Sequence, residues 1–158
     1  MAKGENASAI ADYGKAIEIN PTLASAYRNR AVAYRAKGEV DRAIADYTQA
    51  IEIDPRHPSS FLNRGNVFEA KGDHGRAIAD FTTAIEITPR NADAFYHRGL
   101  AHRARGEIDQ AIADYTKAIE IDPQHAAAYN SRSNAFEAMG EIDRAIADHK
   151  KAIVIKRP

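Results

Sequence analysis

Histidine is the side chain best suited to proton transfer and metal ligation near neutral pH, and this chain has six. Their spacing gives neither chemistry a frame. His97 and His102 stand five residues apart, not at the i, i+4 interval that sets two ligands on one helical face. His57 and His125 fall in turns just after a proline, His74 in a loop, and His149 near the C-terminal end. His102 interrupts an apolar stripe and reads as a packed, hydrogen-bonded side chain. With no cysteine, thiolate nucleophiles, thiolate metal ligands and disulfides are all excluded. No phosphate loop, nucleophile motif or dinucleotide fingerprint occurs. The sequence therefore predicts no catalytic residue, no metal site and no cofactor.

Arginine and aspartate carry a more regular signal. Arg30, Arg64, Arg98 and Arg132 recur at one constant interval, and Asp46, Asp80, Asp114 and Asp148 recur at the same interval. The arginines lie beside an apolar stripe, where a charge is tolerated mainly when it is paired. Each arginine is expected to pair across helices with the aspartate that next follows it in this series.

The elements that would hold these groups follow from the same period. Pro21, Pro55, Pro89 and Pro123 are evenly spaced, and Gly4, Gly38, Gly72, Gly106 and Gly140 repeat with the spacing that separates Pro21 from Pro55. The segments before the prolines nearly repeat: AIADYGKAIEINP, AIADYTQAIEIDP, AIADFTTAIEITP and AIADYTKAIEIDP. Self-similarity at a fixed interval of this scale marks a stacked repeat architecture. Tyr27, Ala31 and Tyr34 share one face of a helix running from Ala24 to about Lys37. Gly38 supplies the left-handed residue that closes it. Ala43, Ile44, Tyr47, Ala50 and Ile51 form a wide apolar stripe on a second helix from about Asp41 to Ile53. Pro55 ends that helix and drives Asp54 out of helical angles.

This pattern resembles the tetratricopeptide repeat. Its residues are Tyr27, Ala31, Tyr34, Ala43, Tyr47, Ala50 and Pro55, then Phe61, Gly65, Phe68, Ala77, Phe81, Ala84 and Pro89. The third copy reads Phe95, Gly99, His102, Ala111, Tyr115, Ala118 and Pro123, and the fourth Tyr129, Ser133, Phe136, Ala145, His149 and Ala152. The recurring arginines stand where the family usually has leucine. The resemblance implies an all-α fold, a right-handed α-solenoid of antiparallel helix pairs with nine helices. Lys3-Gly4-Glu5 matches the turn Lys37-Gly38-Glu39, so residues 1–23 read as a turn and an orphan second helix, about Asn6 to Ile19, of a truncated repeat, and 24–57, 58–91, 92–125 and 126–158 as four full repeats.

The resemblance further implies that the first helices of successive pairs line a concave groove that holds a partner peptide or helix. The candidate wall comprises Arg28, Val32 and Arg35, then Leu62, Asn63, Asn66 and Glu69, then Tyr96, Leu100 and Arg103, then Asn130, Asn134 and Glu137. These positions vary between repeats while the scaffold does not. Arg35, Glu69, Arg103 and Glu137 alternate in sign, which suits either an internal ion-pair ladder or the reading of charges on a ligand, and the ladder is the arrangement expected. Relatives that clamp acidic chaperone tails use lysine, arginine and asparagine; Val32 and Asp93 replace an asparagine and a lysine here, so that clamp is not expected.

Twenty-two basic and twenty-two acidic residues balance, which removes the net basic surface that nucleic acid or an anionic membrane would require. The N-terminal residues lack a signal-peptide core and no segment is long and apolar enough to span a bilayer, so a cytoplasmic location is the default. The orphan helix presents Ile10, Tyr13 and Ile17 without a partner before it, which predicts homo-association. At the other end His149, Lys150 and Lys151 read as a polar cap. Three readings follow: a non-catalytic adaptor, a self-assembling structural module, or a regulatory segment of a larger signalling protein or enzyme.

Overall fold

A computed structural model describes residues 2–156. Nine helices are present among the described residues. They are α1 (Ala2–Ile19), α2 (Ala24–Ala36), α3 (Val40–Ile53), α4 (Pro58–Ala70), α5 (His74–Ile87), α6 (Ala92–Ala104), α7 (Ile108–Ile121), α8 (Ala126–Ala138) and α9 (Ile142–Lys156). Each helix packs on its sequence neighbours, giving an all-α solenoid of helix pairs.

The turns explain why the chain doubles back every half-repeat. Gly38, Gly72, Gly106 and Gly140 adopt φ of 77–78°, a conformation that glycine enters without a Cβ penalty. Around the first of them, Gly38 N–H donates to Arg35 O at 3.0 Å and Glu39 N–H to Tyr34 O at 2.9 Å. These two bonds satisfy carbonyls that the helix end leaves free. The second helices stop differently: Asp54, Thr88 and Asp122 leave the helical region with ψ of 83–94°, as the following proline requires. Entry to the next helix is capped by Asp73, Asn91 or His125, whose side chains accept from Arg76, Ala94 and Ala128 N–H.

The core is thin and largely alanine. Ala31, Ala43, Ala50, Ala77, Ala84, Ala111 and Ala118 are fully buried, with Tyr47, Phe81 and Tyr115 filling the space between helices. Small residues permit this approach. A Cβ on Gly65 would lie 2.7 Å from Phe81, and one on Gly99 would lie 2.7 Å from Tyr115.

The expected arginine–aspartate pairs form in all four repeats. Arg30–Asp46, Arg64–Asp80, Arg98–Asp114 and Arg132–Asp148 are each bidentate, with N–O distances of 2.7–2.9 Å. This planar match is the geometry arginine favours. The bond to Asp46 raises the Arg30 pKa above its ordinary value, against the opposing effect of burial. Each guanidinium also lies beside aromatic rings of its own helix, as Arg64 does between Phe61 and Phe68 at 6.0 and 5.7 Å.

Three of the arginines reach a further partner. Arg64, Arg98 and Arg132 donate to the hydroxyls of Thr48, Thr82 and Thr116 at 2.9–3.1 Å. Those threonines belong to the preceding repeat, so one side chain joins three helices. Thr48 and Thr116 give their own proton to Ile44 O and Ile112 O, leaving oxygen lone pairs for the arginine. Gly14 occupies this register in α1, and Arg30 finds no hydroxyl there.

Three expectations are corrected. The segment Lys3-Gly4-Glu5, matched to the turn Lys37-Gly38-Glu39, lies within α1. In later repeats that turn is held by bonds from the helix before it, and no described residue plays that part at Ala2. His74 opens α5 and does not lie in a loop. The polar cap is incomplete: His149, Lys150 and Lys151 are exposed, but so are Ile142, Ile146, Ile153 and Val154, because the isoleucines that elsewhere pack against a following repeat are retained. Ile10, Tyr13 and Ile17, the residues expected to self-associate, are half-buried. They occupy the register of Ile44, Tyr47 and Ile51, α1 packing on α2 as later second helices pack on the next repeat.

Candidate binding groove

The first helices of the four repeats are α2, α4, α6 and α8. Contacts run from α4 to α6 and from α6 to α8, skipping a helix each time, and α3, α5 and α7 do not meet one another to that extent. A stack whose first helices touch while its second helices splay bends toward the first helices. Their outward faces therefore form the inner wall of the curve.

The expected wall residues sit on these helices with graded exposure. Val32, Arg35, Arg103, Asn134 and Glu137 are exposed; Arg28, Leu62, Asn63, Asn66, Glu69, Tyr96, Leu100 and Asn130 are half-buried. Leu62, Tyr96 and Leu100 pack against the cores of the second and third repeats, which gives the centre of the wall its apolar character.

An aromatic and imidazole cluster marks this centre. Tyr96 meets His97 edge-on at 5.3 Å, Tyr115 at 6.0 Å and His125 at 4.9 Å between ring centroids. His97 stacks on Phe81 at 5.8 Å. Its Nδ1 lies 3.5 Å from a Glu69 carboxylate oxygen, and His125 Nε2 lies 3.4 Å from Asp93. His102 stands apart from the cluster, with Nδ1 2.5 Å from Glu107, the packed and hydrogen-bonded setting expected of it. Among the described residues, no three imidazole or carboxylate groups converge as a metal site.

Several polar atoms here are buried without a hydrogen-bond partner: Arg28 Nη1, Asn66 Oδ1, His97 Nδ1 and the hydroxyls of Tyr47 and Tyr115. Burial pushes the Tyr115 phenol up to about 12, Arg103 opposing the shift while Tyr96 and Glu69 add to it. The Tyr47 phenol is raised by burial against the opposing charge of Arg35. Both rings are fully buried, and their hydroxyls lie in the fields of groove charges.

The expected ion-pair ladder does not form. Among the described residues, Arg35, Arg103 and Glu137 make no ion pair, and Glu69 faces only His97. Those three charges stay available to a ligand. Sequence reasoning places His97 at the edge of the groove and misses the contribution of His125 and of Tyr47 and Tyr115. One signal points to the tyrosines: Val32, Arg35 and Tyr47 are matched two repeats on by Leu100, Arg103 and Tyr115, while Asn66 and Glu69 are matched by Asn134 and Glu137. A concavity of about 740 Å³ lies elsewhere, among Gly38, Glu39, Val40, Asp41, Arg42 and Lys71 along the turns. Lys71 and Asp41 there pair at 2.6 Å.

Stacked helix pairs with a repeated scaffold and a variable inner wall define a helical repeat protein of the kind that presents a groove. Sequence profiles described as tetratricopeptide repeat match residues 92–125 and 114–147, and one described as TPR repeat matches 1–38, 33–72 and 65–104. The chain belongs to the tetratricopeptide repeat family. Among solved structures, MamA is 28% identical, with 98% of this chain and 90% of that chain covered and a TM-score of 0.92. YrrB, described as a TPR protein with an unusual peptide-binding site, is 24% identical over 97% of this chain and 79% of its own, with a TM-score of 0.82. The first TPR of Spaghetti (RPAP3), bound to the HSP90 peptide SRMEEVD, is 25% identical over 74% of this chain and 93% of its own, with a TM-score of 0.72. No match is found among curated proteins. Among the described residues, no helix is long and apolar enough to cross a membrane.

Proposed function

We propose that this chain is a non-catalytic interaction scaffold that holds a segment of a partner polypeptide along its concave wall. One observation carries the reading: on a closely repeated scaffold, the residues of the inner wall change from one repeat to the next. The exposed Asn134 side chain offers both an acceptor and donors, and a peptide backbone supplies matching groups at every residue but proline. Tyr96 and the arginines are the side-chain types that dominate binding energy at interfaces. The RPAP3 domain, of similar fold, takes a peptide. That peptide is acidic, and Glu69 and Asp93 disfavour one of uniform negative charge here.

The test compares the wild-type chain with a Tyr96→Ala/Asn134→Ala variant in affinity capture, with circular dichroism to show that both are folded. A partner held by the wild type and lost by the variant supports the groove. Equal capture by both refutes it. The second reading, self-assembly, is favoured by the exposed isoleucines of α9 and by Ile10, Tyr13 and Ile17 on α1. Sedimentation velocity over a concentration series decides it: a single monomeric species throughout counts against self-assembly.

A further inference from the structure

The groove alternates with a period of two repeats. In the first and third repeats an aliphatic residue is followed three positions on by arginine, Val32 with Arg35 and Leu100 with Arg103; in the second and fourth, asparagine is followed by glutamate, Asn66 with Glu69 and Asn134 with Glu137. Residues three apart on a helix are surface neighbours, so each repeat offers one rung made of a neutral side chain and a charge. The rungs run positive, negative, positive, negative along the wall.

These charges are not spent on one another. The scaffold arginines are bound to aspartates in every repeat, whereas among the described residues Arg35, Arg103 and Glu137 join no ion pair. The floor of the groove follows the same alternation. Fully buried Tyr47 and Tyr115, with unpartnered hydroxyls, underlie the arginine rungs, and Phe81 holds that register in the second repeat.

We propose that the groove reads an extended polypeptide segment whose charges alternate in sign in step with the rungs, acids against Arg35 and Arg103 and a base against Glu69. This inference deepens the groove reading and rests on it. The ligand is extended because a strand keeps its backbone N–H and C=O groups free for the exposed Asn134 side chain, whereas a helical ligand has already committed them internally. Packed helices lie about 8–10 Å apart and an extended chain advances about 3.3 Å per residue. The matching ligand therefore carries a charge about every third residue, in the order acid, base, acid, base. A uniformly acidic tail gains two favourable rungs and meets repulsion at Glu69 and Glu137.

The test is selection from a random peptide library of about twelve residues, long enough for four rungs, followed by fluorescence anisotropy. The probes are a synthetic peptide with alternating Asp and Lys every third residue and an isomer with its charges in two blocks. Binding of the alternating peptide should exceed that of the isomer about tenfold, and Arg103→Glu should cost about tenfold, as expected for reversing one partly exposed charge contact. A peptide with Lys in place of the Asp facing that position should recover affinity for the variant. Equal binding of the two isomers, or indifference to Arg103→Glu, overturns the inference. Library peptides that bind through Tyr96 and Asn66 with no charge period leave the groove reading standing and refute the alternation. A groove that selects no peptide refutes both.

Discussion

Replacing Arg98 by leucine is the most informative perturbation of this scaffold. The guanidinium gives Asp114 two bonds, Nε to Oδ2 at 2.9 Å and Nη2 to Oδ1 at 2.7 Å, and gives Thr82 Oγ1 a third at 3.1 Å. The Asp114 side chain is only 7% exposed, against 21% for Arg98. Arg98→Leu thus strands a charge that water scarcely reaches, at a cost of about 3–5 kcal/mol. Asp114→Asn leaves a cation with partial access to solvent and to Thr82, at about 1–2 kcal/mol. In the double variant the stranded charge is gone, and it should be about 2 kcal/mol more stable than the sum of the single effects allows. Urea unfolding followed by circular dichroism measures this, fitted with a nearest-neighbour scheme because stacked repeats do not unfold as one unit. The coupling should change little with added salt, since the pair is shielded from mobile ions. A coupling below about 0.5 kcal/mol, the additivity expected of independent sites, refutes the pairing as an energetic unit.

Three further outcomes are expected. Gly14→Thr supplies the hydroxyl that Arg30 lacks, at a site where a Cβ would meet Arg30 Nη1 at an ordinary 3.8 Å; α1 should gain about 1 kcal/mol, read as slower amide exchange in that helix. Gly99→Ala drives a Cβ to 2.7 Å from Tyr115 and 3.2 Å from Ala111 O and should cost about 1–3 kcal/mol in the same unfolding assay. At high pH the Tyr115 phenol, held near 12 by burial, stays protonated when the unfolded chain has already lost its proton. Its contribution is intact below about pH 10 and declines by about 1.4 kcal/mol per pH unit from there to the folded value, and absorbance of the native protein should show that phenol titrating last.

The sequence carried the scaffold almost completely, and physical reasons explain where it stopped. Glycine with positive φ, proline after the second helix and buried alanines are local requirements, so they recur once in every repeat and can be read directly. The arginine–aspartate pairing was legible because a charge beside a core needs a partner and an aspartate on the second helix recurs at a fixed offset from each arginine. The threonine acceptor was not, since a partly buried threonine looks like any other until the preceding repeat is stacked. The groove was legible as a face and not as a geometry. The expected ladder depended on the gap between non-adjacent helices, which no sequence interval encodes, and His97 joined Phe81 through stacking across repeats. The turn expected at Gly4 failed because its conformation belongs to the helix before it, not to the glycine itself.

The arginine that spans three helices also sets where this molecule gives way. Three junctions are riveted by a bond from Arg64, Arg98 or Arg132 to a threonine of the repeat behind; the junction of α1 with α2 has Gly14 in that place and no rivet. A chain of links under load parts at its weakest one. Pulled along its axis, the solenoid should shed α1 at the lowest force and then resist, rupturing in steps of one repeat. Because the wall bearing Val32 and Arg35 leans on that first link, yielding there loosens this pair of residues before any other part of the wall.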